Sequence, residues 1–137
     1  MTIVDISEVD FNDDYSYTLR GAPFTGLARE FDKHGRLVAE MSFRNGKKDG
    51  VSTQYFPSGR VNFEKSYRNN AMHGESREWF EDGKLKRRMV HEFGFLLENG
   101  EWDEEGAQLG TFRLTEADPQ YRLLASRRNR DKKSPPT

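Results

Sequence analysis

The sequence contains no cysteine among its 137 residues, which excludes disulfide bonds, thiolate nucleophiles and cysteine-ligated zinc. It also has no apolar run long enough to cross a membrane. The acidic first residues, MTIVDISEVDFNDD, lack the basic and apolar regions of a signal peptide. These absences are compatible with a reducing compartment, and we expect a cytoplasmic protein.

Apolar residues are scarce at 34%, nearly equalled by charged residues at 33%. This balance favours a thin fold with much solvated surface over a thick two-layer core. Ten Phe, five Tyr and two Trp argue against a disordered chain, because disordered sequences are poor in aromatic residues. Twelve glycines indicate many turns.

The net charge of −1 hides an uneven distribution along the chain. Residues 1–112 carry 15 basic and 20 acidic side chains, whereas residues 113–137 carry seven basic and three acidic ones. The acidic body disfavours direct binding of nucleic acid. Solvation explains such a basic tail, with binding of a partner as the alternative.

One pattern recurs four times along the chain. Its copies are GLAREFDKHGRL from Gly26, GVSTQYFPSGRV from Gly50, GESREWFEDGKL from Gly74 and LENGEWDEEGAQ from Leu97. The first three copies begin 24 residues apart and the last begins 23 residues later. Each has an aromatic residue five positions in, at Phe31, Tyr55, Trp79 and Trp102, and a glycine nine positions in, at Gly35, Gly59, Gly83 and Gly106.

Each copy predicts a β-hairpin. The residues after Leu37 alternate between apolar and polar with a period of two, as in a strand with one buried face. DKHG, PSG and EDG have the composition of hairpin turns, and RNGKKDG and RNNAMHG supply turns between copies. Because a lone hairpin is marginal in water, stacked copies predict a mainly β fold with a single-layer antiparallel sheet.

The segment RGAPFTGLAREFDKHGRL resembles the MORN repeat, in the variant found in bacterial YwqK-type antitoxins. The residues that match the opening G-x-P-F-T-G of that variant are Gly21, Pro23, Phe24, Thr25 and Gly26. The resemblance covers residues 17–110 and departs from the pattern at Leu97 and at Asn70, where glycines are missing. We expect less regular strand pairing at these two positions.

The chain divides into residues 1–20, which could add a capping strand, residues 21–112 with the repeats, and residues 113–137 with a short basic helix. Asp118 is the predicted N-cap of that helix and Pro119 its first residue. We expect Tyr121, Leu123 and Leu124 to be its apolar contacts, and the helix to cover the open edge of the last hairpin. The final residues, RDKKSPPT, are expected to be frayed.

The repeat phase predicts two different faces. We place an aromatic and apolar strip on one face, and a row of carboxylates on the other: Glu30, Glu40, Glu64 and Glu78. The strip is explained as the protein's own core and the acidic row as a solvated face. The alternative is a partner-binding surface, with Tyr55, Trp79 and Trp102 as anchors and the four carboxylates as charged contacts.

Catalytic motifs are absent from the sequence, which has no P-loop, dinucleotide-binding, G-x-S-x-G or H-E-x-x-H motif. The three histidines, His34, His73 and His91, occupy different phases of the repeat, so a metal site is not expected. We therefore predict neither an enzyme nor a bound cofactor.

The resemblance implies an immunity protein, or antitoxin, that binds a cognate bacterial toxin and blocks it sterically; such toxins are often enzymes acting on nucleic acid. The alternative is a MORN-type scaffold that binds another protein or an acidic membrane surface through the basic tail, at Arg127, Arg128, Arg130, Lys132 and Lys133. We consider membrane binding the weaker alternative. The sequence leaves the oligomeric state open, although an exposed sheet edge would permit a dimer.

Overall fold

The computed structural model describes residues 1–133, and residues 134–137, part of the segment predicted to be frayed, lie outside the described residues. The strands are Ile3–Asp5 (β1), Val9–Phe11 (β2), Tyr17–Leu19 (β3), Ala22–Pro23 (β4), Gly26–Phe31 (β5), Leu37–Arg44 (β6), Lys47–Lys48 (β7), Gly50–Tyr55 (β8), Val61–Arg68 (β9), Ala71–Met72 (β10), Gly74–Trp79 (β11), Leu85–Glu92 (β12), Phe95–Trp102 (β13) and Gln108–Arg113 (β14). A 3-10 turn spans Ile6–Glu8, and a helix (α1) spans Pro119–Lys133.

The large sheet contains the predicted hairpins in chain order. Its strands lie in the order β1-β5-β6-β8-β9-β11-β12-β13-β14, with β7 and β10 paired to β6 and β9. Every pair is antiparallel except β1 and β5, which are parallel. The prediction of a mainly β fold built from stacked antiparallel hairpins, with a short C-terminal helix, is confirmed.

Two kinds of turn alternate along the sheet. Within each hairpin, a glycine such as Gly35 or Gly59 adopts a positive φ of 78° or 90° at the end of a three-residue loop. Between hairpins, two consecutive residues have positive φ, as in Asn45–Gly46 at 50° and 78°, which is a type I′ turn. The sequence predicted both turns from glycine and asparagine.

Asn70 occupies a glycine position of the repeat without interrupting the pairing. It adopts a φ of 71°, a left-handed conformation that asparagine tolerates better than most residues. Its N–H donates to the Lys48 carbonyl at 2.9 Å, its Oδ1 accepts from the Lys48 N–H at 2.8 Å, and its Nδ2 donates to the Tyr15 carbonyl at 2.9 Å. The predicted irregularity at Asn70 is therefore wrong, because its side chain stabilises the turn.

The fourth hairpin joins the sheet differently from the others. Between β6 and the segment β7–β8, the register shifts by two residues, from Phe43 opposite Lys48 to Glu40 opposite Thr53. Between β12 and β13 it shifts by only one, at Leu97, and β13 runs unbroken from Phe95. The 23-residue spacing thus lacks one of the two residues that shift the register at the other junction. As a result, β13 is continuous at Leu97, where we expected weaker pairing.

The N-terminal region contributes more than one capping strand. β1 pairs with β5, and β2, β3 and β4 form a separate three-stranded antiparallel sheet. The turn of residues 12–16 has the same two backbone hydrogen bonds as the repeat hairpins, Asn12 N–H to Ser16 O and Tyr15 N–H to Asn12 O, both 2.9 Å. Residues 9–23, which we call the cap, therefore contain a fifth, shortened hairpin, with Tyr15 at a φ of 65° where the other copies have glycine.

The core lies where the cap folds over the first repeat. Phe24, Ala28 and Phe43 are buried there. The side chains packed around them are Val4, Ile6, Val9, Tyr17, Leu19 and Met41. The Phe43 ring centroid lies 4.7 Å from that of Tyr17 and 5.5 Å from that of Phe24, so Phe43 joins the cap to the sheet.

The helix contacts the sheet through one apolar and several charged side chains. Leu124 is fully buried, whereas Leu123 is 60% exposed, so the predicted contact of Leu123 is wrong. Arg128 Nη2 lies 2.6 Å from a Glu92 carboxylate oxygen, and the Arg127 guanidinium lies 4.3 Å from the Phe93 ring centroid. The helix extends through Lys133, further than predicted.

The helix does not cover the last strand. All six residues of β14 are exposed, which corrects the prediction that the helix protects this edge. The Asp118 carboxylate accepts a hydrogen bond from the Thr115 N–H at 2.7 Å instead of capping the helix. Within residues 1–133, no helix has the length and apolar character that a membrane span requires.

Replacing Glu92 with glutamine should destabilise the protein at pH 7 but not in acid. Hydrogen bonds from Arg128 lower the pKa of Glu92, so folding favours the charged carboxylate. Stability from a depressed carboxyl pKa is present above the unfolded value of about 4.3 and is lost as the pH falls through the folded value. Because the Arg128 side chain is 38% exposed, we expect a loss of only about 0.5–1 kcal/mol at pH 7.

Urea unfolding at pH 7 and at about pH 3 measures this difference, which should shrink towards zero at the lower pH. The exposed Glu116 provides the control, since Glu116→Gln should change stability little at either pH. An equal loss at both pH values for Glu92→Gln would contradict the assigned role of the ion pair.

Candidate functional site

The strand register divides the predicted acidic row between two faces. Residues paired across neighbouring strands lie on the same side of a sheet. Glu40 is opposite Arg29, and Glu64 is opposite Thr53 and Arg77. We call this side, which also bears Leu27 and Val51, the outer face.

Glu30 and Glu78 lie on the other side, which we call the inner face. Glu30 is opposite Ala39, and Glu78 is opposite Phe63. The same face carries Phe43 and is covered by the cap at the first hairpin. The prediction that Glu30, Glu40, Glu64 and Glu78 share one face is therefore wrong.

A one-residue bulge explains this error. In the first hairpin, Phe31 is opposite Leu37, but Glu30 is opposite Ala39, so Val38 is an extra residue in β6. The bulge reverses the relation between even and odd positions on the two strands. The same shift occurs between Gln54 and Tyr55, and again in the third and fourth hairpins.

The recurring aromatic residues form a column on the outer face. Phe31, Tyr55, Trp79 and Trp102 are the last residues of β5, β8, β11 and β13. By strand alternation they share a face with Arg29, Thr53, Arg77 and Gly100, respectively. Successive members are two strands apart, about 10 Å.

Two residues of this column differ in their surroundings, one being exposed and the other packed on a glycine. Phe31 is 47% exposed, although it is a large apolar side chain. Trp102 lies across Gly100, because a Cβ added there would come within 2.8 Å of the Trp102 Cη2. The three aromatic residues predicted as anchors, Tyr55, Trp79 and Trp102, thus lie on one face.

Ion pairs cross the outer face beside this column. The Arg29 Nε lies 2.7 Å from the Glu40 Oε2 at one end. At the other end, Arg88 lies 2.9 Å from Glu75 and 3.2 Å from Glu98. The hydrogen bonds that Arg88 donates to Glu75 and Glu98 raise the pKa of Arg88, so the charged form of Arg88 is favoured.

Glu64 differs from these neighbours. Its carboxylate makes no ion pair within 4 Å among residues 1–133, although Arg77 is its cross-strand neighbour. It is half-buried and lies between the strands that carry Tyr55 and Trp79. Glu64 is therefore a carboxylate in the centre of the outer face whose charge is available to a partner.

The inner face is less suited to a broad partner. The cap covers it at the first hairpin. Next to the cap, Lys48 lies between two tyrosine rings, 5.9 Å from the centroid of Tyr17 and 5.2 Å from that of Tyr67. Glu78 is neutralised by Lys86 at 3.7 Å and Arg87 at 4.0 Å.

The histidines occupy separate structural positions. His34 is in an exposed turn, and the Nδ1 of His73 accepts a hydrogen bond from the Phe93 N–H at 3.0 Å. His91 is in β12, where burial lowers its pKa. Within the described part of the chain, no group of three or more His, Asp and Glu side chains is placed to hold a metal ion.

Sequence reasoning placed the second strand of the last hairpin within the repeats, which were predicted to extend to residue 112, but did not identify its exposed apolar residues. In the structure this strand is β14, in which Leu109 is 67% exposed and Phe112 is 39% exposed. The prediction that the C-terminal helix covers this edge had assigned them a protected position.

Comparison with known proteins gives the same family as the repeat pattern. The family model described as MORN repeat variant matches residues 48–69 and 72–92. The chain is 53% identical over 108 residues to a Bacillus subtilis (strain 168) protein named immunity protein YwqK, covering 79% of this chain and 70% of that protein. No solved structure matches the chain.

Proposed function

The chain belongs to the family of MORN-repeat-variant proteins that includes immunity protein YwqK, and we propose that it is itself an immunity protein that binds and neutralises a toxin. The identity of 53% over 79% of the chain carries this proposal.

The outer face is the docking surface that the geometry favours. It combines a column of aromatic residues with a central carboxylate, Glu64, which has no ion pair within residues 1–133, and a surrounding network of ion pairs. Buried aromatic anchors with a polar rim are the usual composition of tight protein interfaces. A toxin covered by this sheet would be blocked by exclusion of its substrate, and no catalytic step by the immunity protein is needed.

The basic C-terminal helix supports the alternative of a membrane scaffold less well. Arg128 is paired with Glu92 and Arg127 lies over the Phe93 ring, so these two cations help to hold the helix on the sheet. These contacts give the tail a structural role. A membrane surface would have to compete with them.

Co-expression with the protein encoded by the adjacent reading frame tests the proposal. We expect that protein to stop growth when expressed alone, and growth to be restored when this chain is present. The two proteins should then co-purify. Toxicity that persists in the presence of the folded chain, with no complex formed, would refute the hypothesis that the neighbouring protein is the toxin of this chain.

Reversing the charge of Glu64 should weaken the complex about tenfold, since it places a cation in the centre of the proposed interface. Glu30→Lys carries the same change of charge on the inner face and should alter the affinity less than about twofold, within the spread expected for surface changes. Binding measured by calorimetry, with circular dichroism as a check of folding, distinguishes the two variants. A larger effect of Glu30→Lys would place the toxin on the inner face instead.

A further inference from the structure

Among the strands of residues 1–133, β14 is the last in the sheet, and its outer edge has no partner there. The Leu114 N–H donates to the Leu97 carbonyl at 2.7 Å, in the same register as the rest of β13 and β14. In an antiparallel ladder, hydrogen-bonded and non-hydrogen-bonded pairs alternate. The backbone groups of Phe112 therefore point towards β13, and those of Thr111 and Arg113 point away from the sheet.

We propose that a second copy of this chain pairs with this edge, antiparallel and centred on Thr111. The pairing would join two sheets into one, with the same faces continuous across the junction. The two Thr111 residues would form a hydrogen-bonded pair on the two-fold axis. This inference is independent of the proposed immunity function, because it concerns the chain alone.

The side chains of β14 complement each other in this register. Phe112 of one copy lies opposite Gly110 of the other, in the closer, non-hydrogen-bonded type of pair. No heavy atom lies within 4 Å of a Cβ built on Gly110, so there is space above it for a ring. Phe112 is 39% exposed, and in the dimer each of the two Phe112 rings would fill the space above Gly110 of the other copy.

The same chain already packs an aromatic ring on a glycine. Trp102 lies over Gly100 in β13, where the missing side chain leaves room for the indole. Gly110 is a second bare position, opposite Glu101 on the other face of the sheet, and within residues 1–133 no ring lies within 4 Å of its Cβ position. A second copy supplies the ring that is missing.

Cysteine cross-linking tests the register, since the natural chain has no cysteine. In Thr111→Cys the two Cα atoms would be about 5.5 Å apart, within the range of a disulfide, so mild oxidation should give a covalent dimer. In Gln108→Cys the two residues would be six positions out of register, about 20 Å apart, and should remain uncross-linked. Both positions are exposed in the native strand.

Sedimentation of the full-length protein at about 10–200 µM should show a concentration-dependent dimer. Phe112→Ala removes two ring-on-glycine contacts and should weaken it about tenfold. A wild-type protein that is monomeric throughout this range overturns the proposal. A dimer in which Thr111→Cys fails to cross-link, or Gln108→Cys cross-links equally well, also overturns it.

Discussion

Replacing Phe43 with alanine is expected to lower the free energy of unfolding by about 3–5 kcal/mol, the usual loss for a phenylalanine removed from a core. Phe43 is 3% exposed and its ring contacts both Tyr17 and Phe24. Alanine would leave a cavity at the only place within residues 1–133 where an aromatic ring of the cap packs against a ring of the sheet. The burial of the ring would be lost and the attachment of the cap would be weakened.

Phe31→Ala is the matched control for this variant. It removes the same side chain from the neighbouring strand of the same hairpin, but at a site that is 47% exposed. We expect a loss of less than about 1 kcal/mol, since little apolar area returns to water. Urea unfolding at neutral pH measures both values, and losses of similar size would show that the cap does not depend on Phe43.

Gly26→Ala is the second change with a large expected effect. Gly26 has a φ of 150°, and a Cβ there would lie 2.2 Å from the Thr2 carbonyl oxygen and 3.1 Å from the Phe24 ring. The same carbonyl accepts a hydrogen bond from the Leu27 N–H at 2.9 Å, which begins the pairing of β1 with β5. The added methyl must push β1 away from the sheet.

We expect this substitution to cost about 2–5 kcal/mol, combining backbone strain with steric overlap. Gly59 allows the cost of backbone strain to be measured without steric overlap. It has a φ of 90°, but within residues 1–133 no heavy atom lies within 4 Å of its Cβ position. Gly59→Ala should therefore cost only about 1–2 kcal/mol. Hydrogen exchange of residues 3–5 should be faster in Gly26→Ala, and unchanged exchange there would contradict displacement of β1.

The repeat architecture could be predicted because it rests on local chemistry. Positive φ values favour glycine and asparagine, and alternation with a period of two indicates strands. Both signals recur at a fixed interval, so Gly35, Gly59, Gly83 and Gly106 identified the hairpins together. Stacking followed because each hairpin alone buries too little apolar surface.

The assignment of side chains to faces could not be predicted in the same way. It depends on single extra residues such as Val38, which shift the register of the strand pairing by one residue. A bulge leaves no compulsory residue type in the sequence. The four glutamates were therefore located in the correct strands but assigned to one face instead of two.

The shortened N-terminal hairpin was missed for a related reason. Its turn holds Tyr15 in the position that marked every other hairpin by glycine, at a φ that an aromatic residue rarely adopts. The Asn70 side chain donates to the Tyr15 carbonyl from 55 positions along the chain, so this conformation is supported by a tertiary contact. Local sequence signals do not report such support.

The register shift at the junctions has an evolutionary consequence. Since a 24-residue unit and a two-residue shift are both even, an inserted copy would keep every side chain on its original side. Unequal recombination between copies could then lengthen or shorten the molecule in steps of about 10 Å without remaking either surface. The length of the sheet would thus change by duplication or loss of a repeat within the gene, without point mutations in either face.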